Sequence, residues 1–585
     1  MDDPVLREAQ APAAMARWVR DFGAAMEAGD AAGAAALFAP ESWWRDLMAM
    51  EWSIRTHAGP AAIAALLSAR LPVLRPRRVR LLEGWPAPRR VVRGGGTPCL
   101  EGFIGWESAH GPVEAALRLV ETPDGPRGWI IAAHLTGLPG RPPPETVRHA
   151  NPEDYARQFG GENWADRRRR AQAYAEREPA VLVLGAAQAG LSIAARLTAF
   201  GVDTLVVDRE ARIGDSWRRR YHALTLHNET HVNHLPYMPF PPTWPVFIPK
   251  DKLANWFESY AEAMELNVWT GTELVSGRRN AADTEWEILL RRADGSQRLV
   301  RPRHLVMATG VSAIPVMPDL PGLGDFAGTV MHSGAYTEGH AWKGRRALVL
   351  GTGNSAHDVA QDLHESGCQV TMIQRSPTHV VSIEEAQRVY SIYTEGLPTE
   401  ACDLLATAAP HEVLVRGYRH ATAISKRADA DLHARLAARG FRLSDGIGGT
   451  GFQYLYLQRG GGYYFNVGCS DLIAEGRIGL IQLADIARFE AGGARMKDGA
   501  LREADLIVCA TGYLNMQETA RALLGDAVAE RIGPVWGFGE DGELRNMWRP
   551  TAQKGLWFTA GGLAQVRIYS RPLALCIAAQ EMGLG

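Results

Sequence analysis

The sequence predicts an α/β protein with two Rossmann-like dinucleotide-binding domains, which follow a small α+β domain at the N-terminus. Two glycine-rich turns carry this prediction: residues 185–190 follow the apolar run 181–184, and residues 351–356 follow the apolar run 347–350. Each pattern is typical of a strand, a tight turn and a helix start, where free backbone N–H groups receive a pyrophosphate. Two such turns in one chain indicate two dinucleotides, the minimum needed to pass a hydride between them.

Residues 1–145 carry no nucleotide motif and predict an α+β unit, because helical patterns come first and strand-like patterns follow. The helical segments are 14–25 and 60–69, and the strand-like segments are 78–82, 99–104, 114–120 and 128–132. Residues 141–145 read Arg-Pro-Pro-Pro-Glu, which is typical of a stiff, extended linker. Residues 146–178, polar and helical from 152, lead to the first nucleotide strand.

The first turn is predicted to bind FAD. A second strand, 204–207, ends at Asp208, 23 residues after Gly185, close to the separation at which a carboxylate accepts hydrogen bonds from a ribose. Ala187 stands where the middle glycine of this motif usually allows close backbone approach, so we expect a slightly shifted pyrophosphate. The predicted FAD-binding residues here are Gly185, Ala187, Gln188, Ala189, Gly190, Asp208 and Arg209.

The second turn is predicted to bind NADPH. Its second strand, 369–373, is followed by Gln374, Arg375 and Ser376 in place of an acid. A guanidinium and a hydroxyl suit a 2′-phosphate, because arginine can pair with it through two hydrogen bonds. The predicted NADPH-binding residues are Gly351, Gly353, Asn354, Ser355, Ala356, Arg375 and Ser376.

The division of the chain follows from two strand-like segments that end in Ala-Thr-Gly, at 308–310 and 510–512, since each closes one nucleotide unit. We therefore predict that the NADPH domain is inserted in the FAD domain. Residues 384–462 exceed what a nucleotide fold needs and are a candidate lid over the substrate. The predicted domains are 1–145 (α+β), 146–178 (linker and helix), 179–340 (FAD, first part), 341–509 (NADPH, with the lid) and 510–585 (FAD, return).

The composition is that of an ordinary globular protein, with 46% hydrophobic residues, 22% charged residues and a net charge of −2. This balance gives no electrostatic case for nucleic acid binding. The six cysteines lack C-x-x-C pairs and metal-ligand spacing, which indicates reduced thiols in a cytoplasm. We expect no export signal and no membrane span, because no apolar run approaches 18 residues.

A further motif narrows the chemistry. Phe326, Gly328, His332 and Tyr336 match the pattern F-x-G-x-x-x-H-x-x-x-Y at every specified position. From about residue 179 to the end, the chain resembles the flavin-containing monooxygenases, including the plant YUCCA-like enzymes and their bacterial and fungal relatives. Baeyer–Villiger members of this group typically carry tryptophan where Tyr336 stands. Two segments that line the flavin in the family also match: Gly214-Asp-Ser-Trp217 and Leu556-Trp-Phe-Thr-Ala-Gly-Gly562.

The resemblance implies an NADPH-dependent monooxygenase that uses FAD and O2. NADPH reduces FAD, O2 forms a C4a-(hydro)peroxyflavin, and a small organic substrate takes one oxygen by N- or S-oxygenation or by oxidative decarboxylation of an α-keto acid. An alignment with animal members places His227 where an asparagine orients the intermediate, with Asn228 beside it. The implied catalytic candidates are Asn228, His227 and Tyr336, and the further cofactor-binding candidates are Trp217, His227, Asn228, His332, Thr511, Gly512 and Gly562. His332 and Tyr336 have a structural alternative, which is to brace the hinge between the domains.

The N-terminal domain resembles the small cone-shaped domain of nuclear-transport-factor-like and SnoaL-like proteins. In that family the cone holds a ligand or forms a dimer face, so a structural or assembly role, including a homodimer, and a ligand-handling role both stay open.

Several alternatives remain at the level of sequence. The main rival is a Baeyer–Villiger monooxygenase, followed by an NADPH oxidase and by a degenerate flavoprotein that acts as a binding module. A flavin disulfide reductase shares the two-nucleotide layout, but it needs a redox-active cysteine pair, and the closest cysteines in the sequence, Cys368 and Cys402, are 34 residues apart. Four histidines between residues 222 and 234 would suit a metal by side-chain type, but we predict no metal site because no ligand spacing completes a set.

Overall fold

The structure is a computed structural model that describes residues 4–146 and 159–585. Its N-terminal unit contains α1 (Pro4–Ala28), α2 (Ala31–Ala36), β1 (Phe38–Leu47), β2 (Ile54–Ala58), α3 (Gly59–Leu74), β3 (Arg77–Leu81), β4 (Arg89–Arg93), β5 (Thr97–Ser108), β6 (Gly111–Thr122) and β7 (Gly125–Leu135). The strands form one sheet in the order β2-β1-β7-β6-β5-β3, with β4 also paired to β5. Helices and one sheet in this unit agree with the predicted α+β class, but the predicted order of helices first and strands afterwards is wrong, because β1 and β2 precede α3. The cone resemblance stays a prediction.

Both faces of this sheet are covered within the same chain. Because neighbouring residues of a strand point to opposite faces, Trp44 and Ile131 lie on the inner face and Trp43 and Ile130 on the outer face. The inner face packs on α1, α2 and α3. Aromatic rings fill it, and the ring centroids of Trp44 and Trp106 lie 6.0 Å apart. The outer face packs on later parts of the chain. A homodimer would therefore have to use another surface.

The next part of the chain builds the first nucleotide unit. Its elements are α4 (Trp164–Ala173), β8 (Val181–Leu184), α5 (Gln188–Ala199), β9 (Thr204–Val207), α6 (Asp215–Arg218), β10 (Thr225–Glu229), β11 (Phe247–Pro249), α7 (Lys250–Ala263), β12 (Asn267–Trp269), β13 (Thr272–Arg279), β14 (Trp286–Arg292), β15 (Gln297–Val300) and β16 (His304–Met307). Part of the helical stretch predicted from 152, residues 152–158, lies outside the described residues. The helix ends before the predicted residue 178 because Tyr174 adopts a left-handed conformation, with φ of +49°.

The second nucleotide unit and the C-terminal segment follow. Their elements are β17 (Thr329–His332), β18 (Arg346–Leu350), α8 (Asn354–Glu365), β19 (Gln369–Gln374), β20 (His379–Ser382), α9 (Ile383–Ala386), α10 (Thr399–Ala406), α11 (His411–Ala428), α12 (Ala430–Ala438), α13 (Gly451–Arg459), β21 (Tyr463–Asn466), α14 (Cys469–Ala474), β22 (Gly479–Gln482), β23 (Ile486–Glu490), β24 (Gly493–Met496), β25 (Leu501–Glu503), β26 (Leu506–Cys509), α15 (Met516–Leu524), α16 (Asp526–Ile532), β27 (Leu556–Phe558) and α17 (Leu563–Glu581). The segment 384–462, which we call the insertion, contains most of α9 and all of α10 to α13.

Two parallel five-stranded sheets form the nucleotide units, in the orders β12-β9-β8-β16-β27 and β17-β26-β18-β19-β22. The first sheet takes its edge strand β27 from beyond the second sheet, which is what an inserted domain produces. The predicted α/β class with two dinucleotide-binding domains is confirmed. The second sheet begins earlier than the predicted boundary at 341, because β17 finds its parallel partner in β26.

Among the residues that the structure describes, no helix is both long enough and apolar enough to cross a membrane.

Candidate active site

The first glycine turn, between β8 and α5, fits a phosphate. Gly185 has φ of +112°, and a Cβ there would lie 2.7 Å from the Ala308 carbonyl oxygen. A Cβ on Gly190, in the first turn of α5 with Ala189, would lie 1.7 Å from the Gly185 carbonyl oxygen, so both positions need glycine. The helix begins at Gln188 without a side-chain cap, which leaves its first N–H groups available to an anion.

Asp208 lies beside this turn, as the sequence predicts. Its carboxylate accepts the N–H of Ala186 at 2.6 Å and the N–H of Glu210 at 2.9 Å. Arg209 is 76% exposed at its side chain and approaches Glu210 at 3.8 Å. Ala187 has φ of −96° and ψ of −166°, extended backbone that any residue adopts, so alanine causes no strain in place of the usual glycine.

Gln188 joins the first turn to two other predicted flavin contacts. Its side-chain oxygen accepts the indole N–H of Trp217 at 3.1 Å, and its nitrogen donates to the carbonyl of Gly561 at 3.3 Å. Gly562 precedes α17, and its N–H donates to the hydroxyl oxygen of Tyr456 at 3.1 Å. The turn, α6, α17 and the insertion therefore meet at one place.

The second turn repeats this construction between β18 and α8. Gly351 has φ of +125°, and a Cβ there would lie 2.6 Å from the Ala510 carbonyl oxygen. Around Gly353, by contrast, the protein leaves room for a Cβ, whose near neighbour would be the Tyr463 carbonyl oxygen at 3.6 Å. A requirement for glycine at 353 would thus come from a bound ligand. Helix α8, whose first three residues are Asn354, Ser355 and Ala356, also starts without a side-chain cap.

Arg375 and Ser376 are exposed at the end of β19, where the sequence places the 2′-phosphate. Sequence reasoning missed Arg442, which the insertion brings to the same position. Its guanidinium donates to the Arg375 carbonyl at 2.7 Å, and the buried Gln374 side chain bonds both its backbone N–H, at 2.8 Å, and its backbone carbonyl, at 2.9 Å. Arg442 could therefore share a phosphate with Arg375. No local signal reveals this, because the two arginines are 67 residues apart in the sequence.

Phe465, on β21, connects the second turn to β10, and we call the region around these contacts the cleft. Its N–H donates to the Asn354 side chain of the second turn at 2.9 Å, and its ring centroid lies 4.7 Å from that of His227 on β10. The Asn228 side chain lies beside the hydroxyl of Tyr390 from the insertion. Sequence reasoning placed His227 and Asn228 beside the flavin but did not find Tyr390.

Tyrosines from the insertion and β21 line this cleft. Tyr418, Tyr456 and Tyr463 lie near Tyr390, and desolvation raises the pKa of each of the four hydroxyls, to about 12 for Tyr390. Part of the His227 side chain is exposed, but protein lies around the ring. The resulting loss of hydration lowers the pKa of His227 to about 4. At neutral pH these groups are therefore uncharged hydrogen-bonding partners.

A narrow crevice continues from the tyrosines into the insertion. It holds about 10 Å³, room for about one water. The ten residues that line it are His379, Glu385, Val389, Tyr418, Ala421, Thr422, Ser425, Thr450, Phe452 and Gln453. The Arg388 guanidinium holds the pKa of Glu385 below its usual range, and burial lowers the pKa of His379. The lining thus carries one carboxylate and neither lysine nor arginine.

The remaining motif residues lie at the hinge between the units. His332 contacts the Gly512 carbonyl at 3.0 Å through Nε2, and Tyr336, 2% exposed, donates its hydroxyl to Asp362 of α8 at 2.6 Å. The Thr511 hydroxyl donates to the Val316 carbonyl at 2.5 Å, so the two segments that connect the nucleotide units pair with each other. These contacts support the bracing role for His332 and Tyr336, and a catalytic role for Tyr336 stays a prediction.

The histidines and cysteines bear on two other chemistries, metal binding and disulfide exchange. Three of the four clustered histidines have separate side-chain contacts: His231 meets Glu229, His234 accepts the N–H of Phe240, and the His227 ring lies tilted against that of Phe465. Within residues 4–146 and 159–585, no group of three or more His, Cys, Asp or Glu could hold a metal ion. All six cysteines are free and buried.

Comparisons with known proteins agree with this geometry. A family model described as pyridine nucleotide-disulphide oxidoreductase matches residues 182–411. The chain is 30% identical over 344 residues to indole-3-pyruvate monooxygenase YUCCA1 of Oryza sativa subsp. japonica, which covers 57% of this chain and 77% of the relative. It is 30% identical over 336 residues to the probable indole-3-pyruvate monooxygenase YUCCA4 of Arabidopsis thaliana, covering 57% and 75%.

Among solved structures, the fold is similar to that of ε-caprolactone-bound cyclohexanone monooxygenase in the Loose conformation. The TM-score is 0.51 at 18% identity, and the match covers 69% of this chain and 88% of that chain. This likeness shows the fold alone.

Proposed function

The chain belongs to the flavin-dependent monooxygenase family that contains the YUCCA enzymes, an NADPH-dependent family, and from this premise we propose which oxygenation it catalyses. The proposed reaction is N- or S-oxygenation of a small organic substrate that carries no carboxylate. For a sulfide, NADPH, a proton and O2 are consumed, and NADP+, water and the sulfoxide are formed.

The cofactors of the family are FAD and NADPH. We assign FAD to the first turn with Asp208, Gln188 and Trp217. Gly185 leaves no room for a Cβ at this turn, the Asp208 carboxylate lies beside it, and Gln188 connects it to Trp217. We assign NADPH to the second turn with Arg375, Ser376 and Arg442. FAD, when bound, supplies the oxygen-activating chemistry. The chain positions the substrate, excludes water through the insertion, and offers the Asn228 amide and the Tyr390 hydroxyl as neutral hydrogen-bonding groups.

One observation supports a substrate without a carboxylate. The crevice beside Tyr418 is lined by Glu385, ionised at neutral pH, and by His379, neutral at that pH. Because the crevice has room for only about one water, the substrate would lie at its mouth. A carboxylate there would lie near Glu385, which is already paired with Arg388, and would find no cationic side chain among the lining residues, which is unfavourable. A sulfide or an amine would meet aromatic rings and hydroxyl groups, which accommodate it well.

The alternatives have support of their own. The relatives are named for indole-3-pyruvate, an α-keto acid, which favours oxidative decarboxylation. Baeyer–Villiger oxidation has the fold of cyclohexanone monooxygenase in its favour, whereas Tyr336 stands where such enzymes typically carry tryptophan.

A matched substrate pair tests the proposal: methyl phenyl sulfide and 4-(methylthio)benzoate present the same sulfur and differ by a carboxylate. We expect sulfoxide from both, with kcat/KM roughly tenfold or more higher for the neutral sulfide. Glu385→Gln is expected to raise use of the benzoate several-fold, and Glu384→Gln, at the exposed neighbouring position, is the control. Anaerobic reduction of the flavin by NADPH is recorded on the same samples.

The outcomes separate the activity from the substrate class. A flavin that NADPH does not reduce would refute the assigned cofactor roles. Reduced flavin with equal use of the two sulfides, or preferred decarboxylation of indole-3-pyruvate, would refute the neutral substrate. Dominant lactone formation from cyclohexanone would establish the Baeyer–Villiger alternative.

We also propose a cytoplasmic location, which the six free, buried cysteines support, since such thiols persist in reducing compartments. A homodimer is compatible with the proposal only through a surface other than the sheet of the N-terminal unit.

A further inference from the structure

The outer face of the N-terminal sheet is covered by the beginning of the insertion. Its apolar residues pack on α10 and on the residues just after it. The packed set contains Trp43, Cys99, Phe103, Ala116, Trp129, Ile130 and Ala132 from the sheet, and Ala401, Leu404, Leu405, Ala408 and Val413 from the insertion. Removing these apolar side chains from water stabilises the contact. The insertion is therefore attached to the sheet along α10.

Buried polar contacts fix the end of α10. Arg45, whose side chain is 9% exposed, donates to both carboxylate oxygens of Glu543, at 2.8 and 2.6 Å, and to the Thr407 carbonyl at 2.7 Å. His134 meets the Thr407 hydroxyl at 2.7 Å, and burial lowers the pKa of His134 to about 3, so the ring is neutral. Buried polar groups such as these are costly to leave unpaired, which makes the contact specific.

A second network fixes the segment before α10. Glu101, 1% exposed at its side chain, accepts hydrogen bonds from Arg89, Arg93 and Arg118. Arg89 and Arg93 also bond Glu395 of the insertion, at 2.5 and 2.7 Å. Both ends of residues 395–407 are thus attached to the N-terminal unit.

The same segment reaches the candidate active site from its other side. Asp403 of α10 accepts two hydrogen bonds from Arg567 of α17, at 2.8 and 2.7 Å, and the Tyr393 hydroxyl at 2.7 Å. Arg567 in turn donates to the carbonyls of Val232 and His234, just beyond Asn228, at 2.8 Å each. Tyr390, the neighbour of Asn228, lies in the short helix Gln387–Thr394 that leads into this segment.

We propose that the N-terminal unit is a brace that holds residues 387–407 of the insertion in place, so that Tyr390 stays against Asn228 and the cleft stays closed to water. Arg45, His134 and Glu101 are positioning residues, since they act through the insertion. The first half of the predicted lid is then a fixed wall of the site. The expected effect on hydrogen peroxide formed per NADPH oxidised rests on the proposed oxygenase function, whereas the attachment of residues 387–407 to the N-terminal unit does not.

Single-atom changes at Thr407 test the brace in the full-length, flavin-loaded protein. Thr407→Val removes the hydroxyl that His134 contacts, and Thr407→Ser keeps it. Glu395→Gln weakens the second network. Arg78→Ala is the matched control, because Arg78 pairs with Glu107 on the exposed side of the same unit, with side chains 71% and 52% exposed. Two readouts are taken: amide hydrogen exchange of peptides within 387–413, and hydrogen peroxide formed per NADPH oxidised with methyl phenyl sulfide present.

We expect Thr407→Val and Glu395→Gln to speed exchange in 387–413 by about tenfold, because an unpaired buried group lowers the free energy of local opening. Hydrogen peroxide per NADPH should rise at least about twofold as water reaches the flavin. Thr407→Ser and Arg78→Ala should match the parent protein in both readouts. Unchanged exchange in 387–413 in both test variants would overturn the brace, whatever the catalytic result. Faster exchange with unchanged peroxide would overturn its role in closing the cleft and keep the attachment.

Discussion

In the first nucleotide unit a Cβ on Gly185 would lie 2.7 Å from the Ala308 carbonyl, and in the second a Cβ on Gly351 would lie 2.6 Å from the Ala510 carbonyl. The two turns thus share one scaffold: a glycine with positive φ, a strand end that presses on it, and a helix start without a side-chain cap. They differ after their second strands, where one presents Asp208 and the other Arg375. We therefore expect a common frame to bind the phosphates and one position beside it to distinguish the two cofactors.

The largest expected effect comes from removing the shared feature in one unit at a time. Gly351→Ala should leave FAD bound and slow its reduction by NADPH by about 100-fold or more, because an L residue is strained at this φ and its Cβ would meet a backbone carbonyl. Gly185→Ala should instead lose the flavin. The measurements are flavin absorbance per protein and the anaerobic reduction rate.

Gly344→Ala is the control for these two variants, since Gly344 has φ of +77° and open space around a Cβ. The Gly344 variant has the same backbone strain but leaves both nucleotide turns unchanged. Flavin loss in the Gly351 variant that equals the loss in the Gly185 variant would contradict separate roles for the turns.

The next effect should fall on the position that distinguishes the cofactors. Arg375→Ala is expected to raise KM for NADPH by roughly 10- to 100-fold and to leave KM for NADH nearly unchanged, because a charge-assisted pair with the 2′-phosphate is lost. Steady-state kinetics with both nucleotides measure this. Arg442→Ala should show the same pattern more weakly, and equal losses with NADH would assign both arginines to folding.

A smaller effect is expected at the corresponding acid. Asp208→Asn keeps an acceptor for the Ala186 N–H but loses the charge and one acceptor oxygen, so FAD should bind roughly tenfold more weakly. Titration of the apoprotein with FAD gives the dissociation constant. Unchanged affinity would mean that Asp208 organises the turn and does not contact the ribose.

The smallest effect is expected at Ala187. Because its backbone is extended and unstrained, Ala187→Gly should change FAD affinity by less than about threefold. The same titration decides this, and a large gain in affinity would show that the methyl group displaces the pyrophosphate from its best position.

The sequence predicted the fold and much of the candidate site because the information for a strand, turn and helix lies within about 25 residues. Gly185, Gly351, Asp208 and Arg375 all lie where these local patterns put them. Distant partners were missed: Arg442 reaches Arg375 from the insertion, and Tyr390 reaches Asn228 from 162 residues along the chain.

The sequence by itself determined two dinucleotide turns, the acid and the arginine that distinguish them, and an α+β unit ahead of them. Only the tertiary structure decided that Phe465 connects the second turn to β10, that tyrosines of the insertion lie beside this contact, and that the outer face of the N-terminal sheet is covered by α10. The physical reason is that turns and helix starts depend on neighbouring residues. The cleft, in contrast, depends on apolar and buried polar contacts between segments that are far apart in the sequence, 498 residues in the pair of Arg45 and Glu543, and no local periodicity records them.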